Sequence, residues 1–497
     1  MYPPRRLAFL AAGGFILLVF LAAYHFTSSG RSSPSPETGN FYSFRHNKHD
    51  ERQFHLILPA TGPNLDFCKL LLSAGILGYP EPIFVGWDGR GVYNGTETHL
   101  FKITETLTYL RSLPTSADKD MVLILDAYDI WLQLRPEVLI SRYYDVIRKN
   151  DARLRDEGIL GKDHGGGEVK HSLIFGPDKI FWPQGPGDPA VWAVPQSYLP
   201  PNSFGPETDT NMLTVRPRWL NSGTIMGPAK EMREMFSATM DMLSRQYDSG
   251  WEFHGSDQYY FAEVWAEQEI NRMKLKNDGE VDMPDYGDDV EVIVPQIPEG
   301  KKTEYGICLD YEMDLFQTAA AFEFHVLWMR FNGSSPADGN APPRIDQWTL
   351  REDVERSEGP FAASPKDFPD QKPWKDMMLG ANSITHSPFG LFHVTGDKTV
   401  RDRWWPRMWF HPHGEALMKA SKRKQGKSKG PATLAEVDGV RWQQARPDGK
   451  TTPMGPGKDG KGGAWRDDGV YIPWKEMCAP FEGDGQGLYV REWKGEL

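Results

Sequence analysis

Met121-Val-Leu-Ile-Leu125 is an unbroken apolar run, and it ends in Asp126-Ala127-Tyr128-Asp129. A short apolar run followed at once by acids predicts a strand buried on both faces that emerges at a polar edge. The chain before it fits the same reading. His55-Leu-Ile-Leu-Pro59 is a second such run, and Leu65 to Leu77 carries apolar residues at helical spacing. Glu81 to Trp87 reads as another strand, and Thr98 to Leu113 as an amphipathic helix. Strands alternating with helices predict an α/β fold around a mixed, mostly parallel sheet. In open sheets of this kind ligands bind beyond the carboxyl ends of the strands, so the residues after Leu125 are the first place to look for chemistry.

Asp126 and Asp129 stand three apart around Tyr128. Acids so placed where the chain leaves a strand can turn toward one pocket. Hard divalent cations, Mn²⁺ or Mg²⁺, prefer carboxylate and phosphate oxygens, and two acids with a diphosphate would complete such a shell. The competing reading makes them loop acids that cap a helix starting near Pro136.

Downstream, Lys170 to Trp182 is a strand-like run stopped by Pro183. Trp219 to Gly227 joins a polar, glycine-bearing turn to a small apolar run, and Lys230 to Gln246 reads as a helix. Gly255-Ser256-Asp257-Gln258 opens a helix over Tyr259 to Glu269, which makes Asp257 either an N-cap or a catalytic group. Ile307 to Asp310 and Leu315 to Gln317 suggest a further strand and turn. Pro388 to His393 is apolar and ends in His393-Val-Thr-Gly-Asp-Lys398, a polar strand end like that after Leu125. His393 is therefore a candidate third ligand.

The chain has 497 residues with a net charge of −12, and its 39% apolar and 25% charged residues are ordinary for a globular protein. The acidic balance argues against a general nucleic-acid binder. Cys68, Cys308 and Cys478 allow at most one internal disulfide. Leu7 to Tyr24 is free of charge and follows Arg5 and Arg6. Its length favours an uncleaved transmembrane anchor over a signal peptide, with residues 1–6 cytosolic and the body translocated. Residues 25–50, which include Ser28 to Asn40, read as a flexible stem. The sequons at Asn94 and Asn332 are compatible with a lumenal body. Residues 51–418 form the catalytic body in this reading, 419–463 a solvated basic insertion, and 464–497 an element that packs back on the body.

VLILDAYD (Val122 to Asp129), the Lys102 helix, IFGPDKIFWP (Ile174 to Pro183), WLNSG (Trp219 to Gly223), SDQ (Ser256 to Gln258), LDYEMDLFQ (Leu309 to Gln317) and HVTG (His393 to Gly396) follow one another in a telling order. In that order they resemble the glycosyltransferase domain of procollagen lysyl hydroxylases and the related collagen glycosyltransferases. The resemblance implies a GT-A-like fold and a hexosyltransferase in the Golgi or endoplasmic reticulum, a type II membrane protein that uses a UDP-sugar donor and a protein or glycan acceptor. It implies that Asp126, Asp129 and His393 bind Mn²⁺ or Mg²⁺, and that Tyr128 lies against the uracil. Lys102 would sit near the nucleotide or sugar, and Asn221, Asp257 and Gln258 would line the sugar and acceptor side. Gly396 would let the backbone approach the diphosphate. In the related enzymes a lysine commonly follows the histidine by six positions; here that position is Thr399, and Lys398 stands one residue earlier. No iron-oxygenase pattern accompanies these motifs.

The same acids would also serve a metal-dependent glycosidase or phosphohydrolase, which needs no nucleotide. A catalytically silent, membrane-tethered carbohydrate-binding protein is a third class, disfavoured by the complete pair of acids and histidine.

Overall fold

The computed structural model describes residues 50–91, 99–334, 347–427, 430, 432–483 and 487–489. The tail, the apolar run Leu7 to Tyr24, the stem up to residue 49 and the sequon at Asn94 lie outside the described residues. Among the described residues no helix is long and apolar enough to cross a membrane.

The protein is a mixed α/β structure whose central sheet is mostly parallel, an architecture compatible with Rossmann-like and GT-A-like folds. Its central strands are β1 (Asp50–Pro59), β2 (Ile83–Val85) and β3 (Met121–Leu125), with β1 parallel to both neighbours. The helices Leu65–Leu77 and Phe101–Ser112 connect them. Leu65–Leu77 starts where the Asn64 side chain accepts the Phe67 N–H, and stops at Gly78, whose φ of 81° suits a residue without Cβ. Phe54, Leu56, Leu58, Met121, Leu123 and Leu125 point into one core, while Ile57, Val122 and Ile124 point into the other. This alternation across a sheet buried on both faces is why its strands read as continuous apolar runs.

Two regions depart from the sequence reading. Trp219 to Gly227, expected as a turn before a small apolar run, is one strand over Trp219–Pro228. It runs antiparallel to β3, with Leu125 opposite Thr224, and antiparallel to Leu173–Asp178 on its other side. Its small polar residues are buried strand residues, not turn formers. The second departure is the basic insertion. Gly414–Gly426 is a helix that buries Leu417, Met418 and even Lys422. Val440–Gln444 is a strand parallel to Asp50–Phe54, and its Trp442 is fully buried. The lysines and arginines of this segment had masked an apolar face that packs on the body. Further on, Gly463–Arg466 pairs parallel with β2, and Cys478 is disulfide-bonded to Cys68, leaving Cys308 free and buried.

Candidate functional site

The two acids after β3 meet a histidine from the end of another strand at one point. The backbone N–H of Asp126 donates to the Gly223 carbonyl at 2.9 Å, which ties the end of β3 to its antiparallel neighbour. Ile130–Leu132 then pairs antiparallel with Leu391–His393, placing Ile130 opposite His393, and the Val394 N–H donates to the Asp129 carbonyl at 2.8 Å. One side-chain donor atom each from Asp126, Asp129 and His393 lies within 4.8 Å of the others. The helix that begins at Pro136 has Arg135 at its N-cap and no side-chain cap, so the two acids do not serve it.

The cluster fits a divalent cation. It offers two carboxylates and an imidazole, an oxygen and nitrogen set suited to Mn²⁺ or Mg²⁺. Asp129 Oδ1 is buried without a hydrogen-bond partner among the described residues, 3.4 Å from His393 Nε2. Opposite them is Gly223. A Cβ there would stand 2.1 Å from His393 Cε1 and 2.9 Å from Asp126 Oδ2, so any side chain would fill the space between the ligands. Glycine inside a strand marks such a close approach.

Two lysines hold the acids. Lys102 Nζ donates to Asp126 Oδ1 at 2.8 Å and to the Ser222 carbonyl at 2.6 Å, and it pairs with Asp257 Oδ2 at 2.9 Å. Burial works against its charge, but Asp126 and Asp257 more than offset this and hold its pKa above the usual lysine value. Burial likewise opposes ionisation of Asp257, and Lys102 outweighs it, so this carboxyl lies below its ordinary value. Asp257 is not a cap: its Oδ2 accepts from Ser222 Oγ at 3.0 Å, and Ser256 holds the N-cap position. Lys398 Nζ donates to Asp129 Oδ2 at 2.6 Å and to the Val394 carbonyl. For Asp129 too, burial is outweighed, by His393 and then Lys398, and its carboxyl sits well below the usual range.

A cavity of about 370 Å³ opens beside these acids, lined by Thr61, His99, Lys102, Asp126, Tyr128, Asp129, Lys398 and Arg401 among others. Tyr128 stands at its wall. Its hydroxyl donates to the Gly62 carbonyl at 2.9 Å and accepts the Thr61 N–H at 3.0 Å, locking the ring against the loop that follows β1. Arg401 donates to the Tyr128 carbonyl at 3.2 Å and pairs with Asp66.

The remaining expected residues stand close by in different roles. Asn221 Oδ1 accepts the Gly223 N–H at 3.0 Å and so supports the open glycine position. Gln258 accepts the Ser222 N–H at 3.2 Å and donates to the Trp182 carbonyl at 2.6 Å, joining the strand to the loop after Asp178. Gly396 has a φ of 68°, which accounts for glycine there, but it does not line the cavity.

Sequence reasoning missed Ser222, Gly223, Arg401 and Asp178. Asp178 ends a buried strand as Asp126 does, which was the signal available. Its carboxylate accepts from the N–H groups of Lys179 and Ile180 and from Asn221 Nδ2. Among the described residues no lysine ammonium is hydrogen-bonded to it; that of Lys179 lies over the Phe204 and Phe322 rings. Burial therefore dominates and pushes the Asp178 carboxyl up to about 6. Compared with known proteins, the chain matches no family model and no curated protein.

Proposed function

We propose that this chain is a metal-dependent glycosyltransferase of the GT-A type, moving a sugar from a UDP-sugar to a protein or glycan acceptor. The observation that carries the reading is the convergence of Asp126, Asp129 and His393 beside the cavity walled by Tyr128 and bordered by Lys398 and Arg401. A Mn²⁺ or Mg²⁺ ion held by the three would supply Lewis-acid stabilisation of the departing diphosphate. In the transfer the bond between the anomeric carbon and the phosphate oxygen breaks, and its electron pair leaves with the diphosphate. The acceptor oxygen forms the new glycosidic bond and gives up its proton to the departing diphosphate or to water.

The chain's own groups suit the parts of this reaction. Tyr128 offers an aromatic face for the base, and Lys398 and Arg401 are cations that line the same cavity as the acids. Asp257 is a poor proton acceptor, because Lys102 keeps its basicity low. Its fixed negative charge suits stabilisation of a sugar with oxocarbenium character. Asp178, bonded to Asn221 behind the site and pushed up to about 6 by burial, is the carboxyl whose pKa lies nearer neutrality. The Cys68–Cys478 disulfide suits an oxidising compartment, in keeping with a type II Golgi or endoplasmic-reticulum protein anchored by residues 7–24.

The test is to incubate the folded protein with a panel of UDP-sugars and Mn²⁺ and to follow UDP release. The expected result is release with one or a few donors, lost on adding a chelator and in Asp129→Ala. No binding or turnover of any donor by correctly folded protein overturns the reading.

A further inference from the structure

The two acids of the metal cluster carry lysines of different standing. Lys102 is held: its side chain is 5% exposed and its ammonium has three oxygen partners, just beyond β3, on the strand Trp219–Pro228 and on the helix that begins at Asp257. Lys398 is not: its side chain is 46% exposed, and it stands on the loop that follows the strand ending at His393. It takes Asp129 by Oδ2 alone, while Oδ1, the oxygen toward His393, has no hydrogen-bond partner among the described residues.

We propose that Lys398 is an internal counter-ion that occupies Asp129 until metal and nucleoside diphosphate arrive together, a positioning residue that makes their binding interdependent. This rests on the glycosyltransferase reading above. A dication seated on Asp129 Oδ1 would stand next to the Lys398 ammonium, and the two positive charges would repel each other. Metal alone therefore binds against the lysine. Lys398 also lines the cavity, beside Arg401. A diphosphate entering with the metal offers the ammonium a new anionic partner, and the repulsion is relieved. Coupling of this kind is reciprocal, so the metal tightens nucleotide binding by the same factor as nucleotide tightens metal binding.

The detergent-solubilised full chain is titrated with Mn²⁺, free ion being read by electron paramagnetic resonance, with and without saturating UDP. The expected wild-type result is that UDP tightens Mn²⁺ binding by at least about tenfold. Lys398→Met should bind Mn²⁺ alone about tenfold more tightly than wild type, and UDP should then add correspondingly less. Lys398→Arg, which keeps the cation, should return metal-only binding toward the wild-type value. An unchanged metal-only affinity in Lys398→Met, in protein with the wild-type melting temperature, overturns the counter-ion role while leaving the glycosyltransferase reading intact. If wild type binds neither Mn²⁺ nor UDP in any combination, that reading falls and the counter-ion role with it.

Discussion

Asp126, Asp129 and Asp178 each stand at the end of a buried strand or just beyond it, yet they live in three electrostatic settings. Asp126 shares the buried Lys102 with Asp257. Asp129 is met by the half-exposed Lys398. Asp178 has only backbone and amide donors among the described residues, and burial pushes its pKa up. A buried cation costs desolvation and pins whatever it touches, whereas an exposed one can be exchanged for another charge. The floor of the site is thus built for permanence and its rim for exchange.

The largest break of this contrast is Lys102→Met, which leaves Asp126 and the buried Asp257 facing each other without a cation. The expected loss is about 3 kcal/mol in urea unfolding at pH 7. Next is Gly223→Ala, whose methyl would enter the space between His393 and Asp126. Mn²⁺ affinity should fall on the order of 100-fold with secondary structure retained, as titration and circular dichroism would show. Asp178→Asn sharpens the third setting. The native carboxyl keeps its proton up to about pH 6, whereas the unfolded one releases it near its model value of 3.8. The unfolded state thus binds fewer protons across that window, and native stability declines as pH rises through it. The asparagine variant should match wild type near pH 4 and exceed it by on the order of 2 kcal/mol above pH 7. The smallest effect is on the rim. Lys398→Met should change unfolding stability by less than about 1 kcal/mol, because an exposed ion pair contributes little. A loss equal to that of Lys102→Met would erase the distinction between floor and rim.

The sheet's parallel half was legible because its strands are buried on both faces and therefore spell themselves as apolar runs. Met121–Leu125 and the helix Leu65–Leu77 have the expected bounds. The metal cluster was legible because acids and a histidine immediately after such runs are conspicuous. The strand Trp219–Pro228 was not. Asn221, Ser222 and Gly223 have turn chemistry locally, and only the approach of His393 from 170 residues away explains them inside a strand. The bonds of Lys102 to Asp126 and Asp257 were likewise beyond local pattern, since a sequence shows a lysine and two acids without showing that they share a pocket. Trp442 was overlooked because its segment's charge and glycine content outweighed one aromatic, which in the fold is paired on both sides.

The outer edge of β1 is closed by residues that come late in the chain. Asp50 to Phe54 lie beside Val440–Gln444, and β2, which borders the other end of β1, is itself flanked by Trp465 and Arg466. During synthesis the ribosome delivers the acids, the histidine and both lysines long before it delivers these strands. A nascent chain that has reached residue 418 therefore holds every group of the site while its founding strand still offers an open edge, the feature most prone to mispairing. Expression of residues 51–418 alone would freeze the protein at that stage. The segment that read as a solvated insertion is the closing piece of the sheet, and completion of the fold waits on it.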